Sequence, residues 1–223
     1  MSSGPETTIA LIGGTGPEGR GLALRFASAG IPVVIGSRSE QRASQTAGEL
    51  AEALGGRPIV GADNREAAAR AGLVVLTVPY AGVPGTVPFL KDVVAGKIVV
   101  SAVAPFEWMD GKFVPIAVPE GSAAQVVQAM LPASRVVSAF QTIDAFRLHE
   151  LDSSLDTDVI VCSDDADARH EVMDLAARLP GVRALSGGRL AASRYVESVT
   201  GLLITINRIY KAHSGIHITG VNR

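Results

Sequence analysis

The chain has 223 residues, 47% of them apolar, and a net charge of −2. That length suits one α/β domain with an extension or a small second unit, and a near-neutral charge without a basic tract excludes a nucleic-acid surface. No apolar run approaches the roughly 18–20 residues of a membrane span, and the candidate 202–206 is short and followed by Asn207 and Arg208, so the expectation is a soluble protein with no membrane contact.

In chain order, residues 1–8 read as a polar tail without the basic and apolar regions of a signal peptide, so a cytoplasmic protein is the expectation. A strand is expected over 7–12 and a helix over 17–29, with Leu22, Leu24 and Phe26 among its apolar positions. A second strand follows at 33–36, then an Ala-rich helix at 41–54 ended by Gly55 and Gly56. A short strand at 58–62 precedes a helix that Asn64 can cap, running to Arg70. The continuous apolar run 73–78 reads as a strand buried on both faces, and 97–101 and 136–140 share its style. Between these two, 105–119 looks irregular around Trp108 and Gly111, and 122–131 is helical. After Asp144 come a strand at 158–162, a helix at 166–179, a strand at 182–186 and a long closing helix at 191–212. Strands alternating with helices imply parallel βαβ units. The expected fold is a Rossmann-type α/β, doubly wound parallel sheet over 1–150, with a small C-terminal α/β extension over 151–223 that ends in the long helix. The one cysteine, Cys162, lies in an apolar strand and reads as a buried structural thiol.

Gly14-Thr15-Gly16-Pro17-Glu18-Gly19 matches GxGxxG between a strand and a helix, the context a dinucleotide site requires. Gly14 permits the tight turn, Gly16 admits the pyrophosphate, and Gly19 lets helix and strand pack closely. Pro17 suits the first helical turn, whose free N–H groups and positive dipole end attract phosphate. The second strand ends in Gly36-Ser37-Arg38-Ser39, with no acidic residue to grip a ribose diol or repel a 2′-phosphate. Ser37 offers a hydroxyl, and Arg38 and Arg42 offer guanidinium forks, so NADP(H) is the expected coenzyme.

In open α/β sheets ligands lie beyond the carboxyl ends of the strands. Those ends here carry Val78-Pro79-Tyr80, Val103, and Gln141-Thr142-Ile143, and none of the four histidines, His149, His170, His213 or His217. No catalytic acid or base and no metal site is therefore expected. Direct hydride passage to a second redox ring needs mainly proximity and orientation.

Several runs together resemble the NADPH:coenzyme F420 oxidoreductases (8-hydroxy-5-deazaflavin reductases). They are Ile12-Gly13-Gly14-Thr15-Gly16, Gly21-Leu22-Ala23-Leu24-Arg25, Gly36-Ser37-Arg38, Val137-Ser138-Ala139, Ser163-Asp164-Asp165, Ser193-Arg194-Tyr195-Val196-Glu197-Ser198 and Gly215-Ile216. The resemblance implies reversible hydride transfer between NADP(H) and the deazaflavin F420 in a homodimer or higher homo-oligomer. It implies that Thr15, Gly16, Pro17 and Glu18 surround the pyrophosphate and that Ser37, Arg38 and Arg42 hold the 2′-phosphate. Val78, Pro79, Tyr80 and Val103 would lie along the nicotinamide, with Gln141, Thr142 and Ile143 on the deazaflavin side, beside the C-terminal part. The chain departs from the family where Gln141-Thr142-Ile143-Asp144 replaces His-Thr-Ile-Pro, Tyr80 replaces a tryptophan, and Pro17-Glu18 replaces Asn-Leu. A Glu18 carboxylate next to pyrophosphate is unfavourable unless it turns outward. The Gln141 and Asp144 departures leave reduction of another flavin- or pterin-like ring as an alternative, and the lack of an obvious acid or base leaves a non-catalytic NADP(H)-binding protein as another. On the last helix, Val196, Val199, Leu203 and Ile206 share helical spacing, as a core or dimer face would.

Overall fold

The computed structural model describes residues 7–109 and 112–221, so most of the N-terminal tail and Gly111 lie outside the described residues. In chain order the elements are β1 (Ile9–Ile12), α1 (Pro17–Ser28), β2 (Val33–Ser37), α2 (Glu40–Ala53), β3 (Ile59–Asp63), α3 (Asn64–Arg70), β4 (Leu73–Leu76), α4 (Val83–Thr86), β5 (Ile98–Ser101), β6 (Phe106–Met109), β7 (Lys112–Pro115), α5 (Ala123–Met130), β8 (Arg135–Ser138), α6 (Ala145–His149), β9 (Thr157–Cys162), α7 (Ala166–Ala177), β10 (Val182–Gly188) and α8 (Ser193–Tyr210).

One eight-stranded sheet runs β10-β9-β8-β5-β4-β1-β2-β3. From β3 to β8 every pairing is parallel, and β1 sits between β2 and β4, so the strand order reverses there. This is the doubly wound Rossmann order, and its ligand crevice opens above β1 and β4. Alternate side chains of β1 feed two cores. Ile9 and Leu11 join Leu22, Phe26 and Val172 on one face, while Ala10 and Ile12 join Ala67, Leu90 and Val127 on the other. Both faces are covered, which is why the strands read as unbroken apolar runs.

Four features differ from the sequence reading. The segment expected to be irregular forms a separate antiparallel hairpin, β6 with β7, and Phe106 packs so closely on Gly201 of α8 that an added Cβ would lie 2.5 Å from its ring. The helix at 64–70 is capped by Asp63, whose carboxylate accepts from the N–H groups of Arg65 and Glu66, and Asn64 is its first residue. A short helix, α6, follows Asp144. Finally, β9 meets β8 through one antiparallel pair, Ser138 opposite Cys162, and β10 then runs parallel to β9. The link 139–156 docks α6 on α1 and supplies no crossover helix of the length a parallel neighbour uses. Cys162 is fully buried and burial pushes its thiol up to about 11, consistent with a packing role.

The long helix α8 is tied to the Rossmann sheet by Glu197, which is 1% exposed and accepts from the N–H groups of Ala123 (2.8 Å) and Ala124 (3.0 Å) at the start of α5. Burial pushes this carboxyl up to about 7, and the two backbone bonds pull against that rise. Because the folded value is raised, the unfolded chain ionises first. The stability contributed by this group is full below the ordinary carboxylate range and is lost as pH climbs through about 7. Glu197→Gln should therefore flatten part of the fall in Tm across that window. An unchanged slope would show that Glu197 is ionised throughout. Among the described residues, no helix is long and apolar enough to cross a membrane.

Candidate functional site

The loop after β1 is shaped by glycine at two close approaches. Gly13 has a φ of +78°, and a Cβ on it would lie 2.7 Å from Val78 Cγ1. The positive φ that permits the turn thus belongs to Gly13, one residue before the motif. Gly14 has a different reason to be glycine, since its Cβ would fall 2.6 Å from the Leu11 carbonyl oxygen. Gly13 and Gly14 both donate to the Gly36 carbonyl, which locks the loop to β2. Gly19 lies against Gly14, where a Cβ would come within 2.5 Å of the Gly14 Cα, so helix and loop touch backbone to backbone. Gly16 is the N-cap of α1 and no side chain caps that end. The first N–H groups of α1 are thereby left for a ligand at the positive end of the helix dipole.

A cavity of about 1010 Å³ begins at this loop and runs along the sheet's carboxyl edge. At one end it is lined by Ser37, Arg38, Arg42 and Asn64. Ser37 is buried and its hydroxyl accepts from Ser39 N–H, while Ser39 caps α2 through Arg42 N–H. Among the described residues, neither Arg38 nor Arg42 has an ion-pair partner. Asn64 was missed by the sequence reading as a site residue. Its Oδ1 is enclosed and unpaired beside Gly36, and the only trace in the sequence was its place directly after a strand.

Mid-cavity the lining is Val78, Pro79, Tyr80 and Val103, with Thr15 and Gly16 of the loop and Pro17 and Glu18 at the start of α1. Burial, helped by Glu120 and Glu197, raises the Tyr80 phenol above its ordinary value, so it stays neutral. Glu18 lines the cavity and does not turn outward as charge alone would require. Its Oε1 is sealed with no hydrogen-bond partner, although the residue as a whole keeps some surface, and burial pushes the carboxyl up to about 8.

The far end is built by the chain leaving β8. Phe140 adopts a φ of +74°, while its ring meets Phe26 edge to face at 5.9 Å. A left-handed non-glycine residue costs on the order of 1–3 kcal/mol, and here it turns Gln141, Thr142 and Ile143 into the cavity. Gln141 is 5% exposed; its Nε2 donates to the Ser101 carbonyl (3.1 Å) and Ser138 hydroxyl (2.6 Å), leaving Oε1 unpaired. Thr200 of α8 donates its hydroxyl to the Gln141 carbonyl. Asp144 caps α6 through Phe146 N–H and Arg147 N–H, and its other oxygen accepts from Asn207 Nδ2 and lies 3.1 Å from His213 Nδ1. Its position is thus set by capping and by ties to the C-terminal part. All sequence-predicted positions except Gly14 and Gly19 line this one cavity, and those two act through packing.

The reversed strand order, the uncapped helix start and the unpaired cations define a dinucleotide-binding protein of the Rossmann class. Residues 8–105 match the family model described as NADP oxidoreductase, coenzyme F420-dependent. The chain is 40% identical to the F420-dependent NADP reductase of Methanocaldococcus jannaschii over 96% of this chain and 98% of that protein. It is 41% identical to the F420-dependent NADP reductase of Methanothermobacter thermautotrophicus over 96% and 95% of the two chains. The crystal structure of a candidate F420-dependent NADP-reductase from Arthrobacter sp. FB24 superimposes with a TM-score of 0.82 at 25% identity, over 96% of this chain and 100% of that one. The chain belongs to the F420-dependent NADP reductase family.

Proposed function

We infer that this protein moves a hydride between NADP(H) and F420, and that both ligands share this cavity. The observation that carries this reading is its continuity: one space of about 1010 Å³ joins the unpaired Arg38 and Arg42 to Gln141 and α8. That is at the upper end of a single small-molecule pocket, roughly 300–1,000 Å³. In this reading Thr15, Gly16, Pro17 and the head of α1 take the pyrophosphate. Ser37, Arg38 and Arg42 take the 2′-phosphate, and Asn64 accepts a hydrogen bond from the adenosine half. Val78, Pro79, Tyr80 and Val103 back the nicotinamide. Gln141, Thr142 and Ile143 face the deazaflavin, with Gln141 Oε1 as an acceptor for a ring N–H. Stacking the two rings here supplies the proximity that hydride transfer needs.

The 151–223 part serves as a smaller unit that completes the acceptor end through α8 and as an oligomer face. Tyr195, Leu202 and Ile209 are 71%, 57% and 68% exposed at seven-residue spacing on α8, which suits pairing with a second copy. A reducing cytoplasm suits the single free thiol.

The test is loss of reduced-nicotinamide absorbance with F420 as acceptor; no turnover at high enzyme concentration rejects the reading. Gln141→Ala should raise KM for F420 about tenfold, the worth of one buried hydrogen bond, and leave KM for NADPH unchanged. Equal effects on both substrates would remove Gln141 from the acceptor side.

A further inference from the structure

Three polar atoms of the cavity wall stand enclosed and unpaired: Asn64 Oδ1, Gln141 Oε1 and Glu18 Oε1. The first two are neutral acceptors at opposite ends. Glu18 is the titratable one, and the function described so far gives it no task. We propose that Glu18 is held in the cavity as a neutral carboxylic acid and is the proton donor that accompanies hydride transfer to the deazaflavin.

The geometry comes first. Glu18 is the second residue of α1, and α1 packs along α6: a Cβ on Gly21 would lie 2.5 Å from Leu148 Cβ, and His149 Nε2 lies 2.9 Å from the Pro17 carbonyl. The head of α6, Asp144 and Ala145, lines the same cavity as Glu18. Glu18 therefore lies mid-cavity at the start of α1, and the head of α6 borders the same space toward the acceptor end.

Among the described residues, the charged and titratable groups on the surrounding elements leave it without a counter-ion. On α1, Arg20 is paired with Glu49, and Arg25 is bound to backbone carbonyls. On α6, Arg147 lies beside Glu150, and His149 meets the Pro17 carbonyl. Asp144 is engaged with Asn207 and His213, Tyr80 lines the same cavity, and Arg38 and Arg42 line the adenosine end. The start of α1 favours a carboxylate by up to about 2 kcal/mol in a partly buried geometry. Burial outweighs it, and the carboxyl is pushed up to about 8. A pyrophosphate bound at the same helix start adds negative charge and favours the protonated form further.

The chemistry can use such a group. Reduction of a deazaflavin by NADPH breaks the nicotinamide C4–H bond, forms a C–H bond at the central ring carbon and moves an electron pair onto a ring heteroatom. Neutral product requires one proton there. Glu18 gives that proton and is left as a carboxylate, which solvent reprotonates once product leaves the cavity. In the reverse direction the carboxylate takes the proton back. This step rests on the placement of the two rings given above.

The test compares wild type with Glu18→Gln, which keeps the shape and a hydrogen-bond donor but cannot ionise. Wild-type kcat should fall with rising pH above about 8 for F420 reduction and rise through the same region for NADP reduction. Glu18→Gln should lower kcat about a hundredfold, the lower end of general acid catalysis, flatten both profiles and leave the Kd for NADPH within about threefold. A variant that matches wild type in rate and pH dependence overturns the proposal while the function stands; wild-type protein inert toward F420 overturns both. If the variant fails to fold, the wild-type profiles decide: opposite slopes with a common midpoint support the proposal, and parallel or flat profiles overturn it.

Discussion

Arg38→Ala is expected to raise KM for NADPH by about ten- to a hundredfold and to leave kcat, and every constant for NADH, nearly unchanged. The magnitude follows from one charge-assisted hydrogen bond, about 1.5–3 kcal/mol. Arg38 has no ion-pair partner among the described residues, so its guanidinium is not held by a carboxylate that a ligand would have to displace. Ser37 is buried at the end of β2, and Arg42 stands one turn into α2, so both retain their places when Arg38 is truncated. Some preference for NADPH should then survive, and Arg38→Ala with Arg42→Ala should remove most of it. The effect belongs in KM because a 2′-phosphate is far from the reacting carbons and is bound equally in ground and transition states. Steady-state kinetics with both coenzymes checks this, and equal losses with NADPH and NADH would dismiss Arg38 as the 2′-phosphate ligand.

The coenzyme half was legible because its chemistry is local. A glycine fingerprint, the strand before it and the residues ending β2 all lie within residues 9–42, and backbone sterics tie their spacing to a turn and a helix start. Even there the sequence misplaced one cause, crediting Gly14 with the turn that Gly13 makes. The acceptor half was less legible because its parts meet only in three dimensions. Gln141 is set by Ser101, Ser138 and Thr200, and Asp144 by Asn207 and His213, contacts that span up to 69 positions. The orientation of Glu18 was left conditional for a related reason. Charge repulsion from phosphate argued for an outward side chain, but an enclosed carboxyl can lose its charge, and then the repulsion no longer applies. The hairpin β6–β7 was hidden because its packing partner, Gly201, lies almost a hundred residues downstream.

Arg25→Ala should be the most damaging of these substitutions to stability, although Arg25 touches no ligand. Arg25 is 1% exposed, and its guanidinium donates to the carbonyls of Arg147, Leu148, Glu150 and Ser153, at 2.6–3.0 Å. The carbonyls of Arg147, Leu148 and Glu150 end α6 and that of Ser153 lies just beyond it, so one side chain of α1 caps a helix more than 120 residues away and fixes where it docks. The run Gly21-Leu22-Ala23-Leu24-Arg25 thereby acquires a cause: Gly21 lets α6 approach, and Arg25 satisfies its exposed end. Truncation strands several buried acceptors and opens a void, at a cost of about 3–5 kcal/mol. For a chain of this length that is a fall in Tm on the order of 10 °C. By contrast, Arg65→Ala breaks an exposed pair with Asp92 and should cost under about 1 kcal/mol. Arg25→Lys should recover little, because an ammonium is a point charge that cannot span carbonyls arranged for a planar fork. The functional loss should be one-sided. Because α6 carries Asp144 and Ala145 into the cavity, KM for F420 should rise, while NADPH binding, which depends on the loop after β1 and the end of β2, changes little. Thermal melts and the two KM values together decide it: a Tm within about 2 °C of wild type would mean that the carbonyls find water and that α6 needs no clamp.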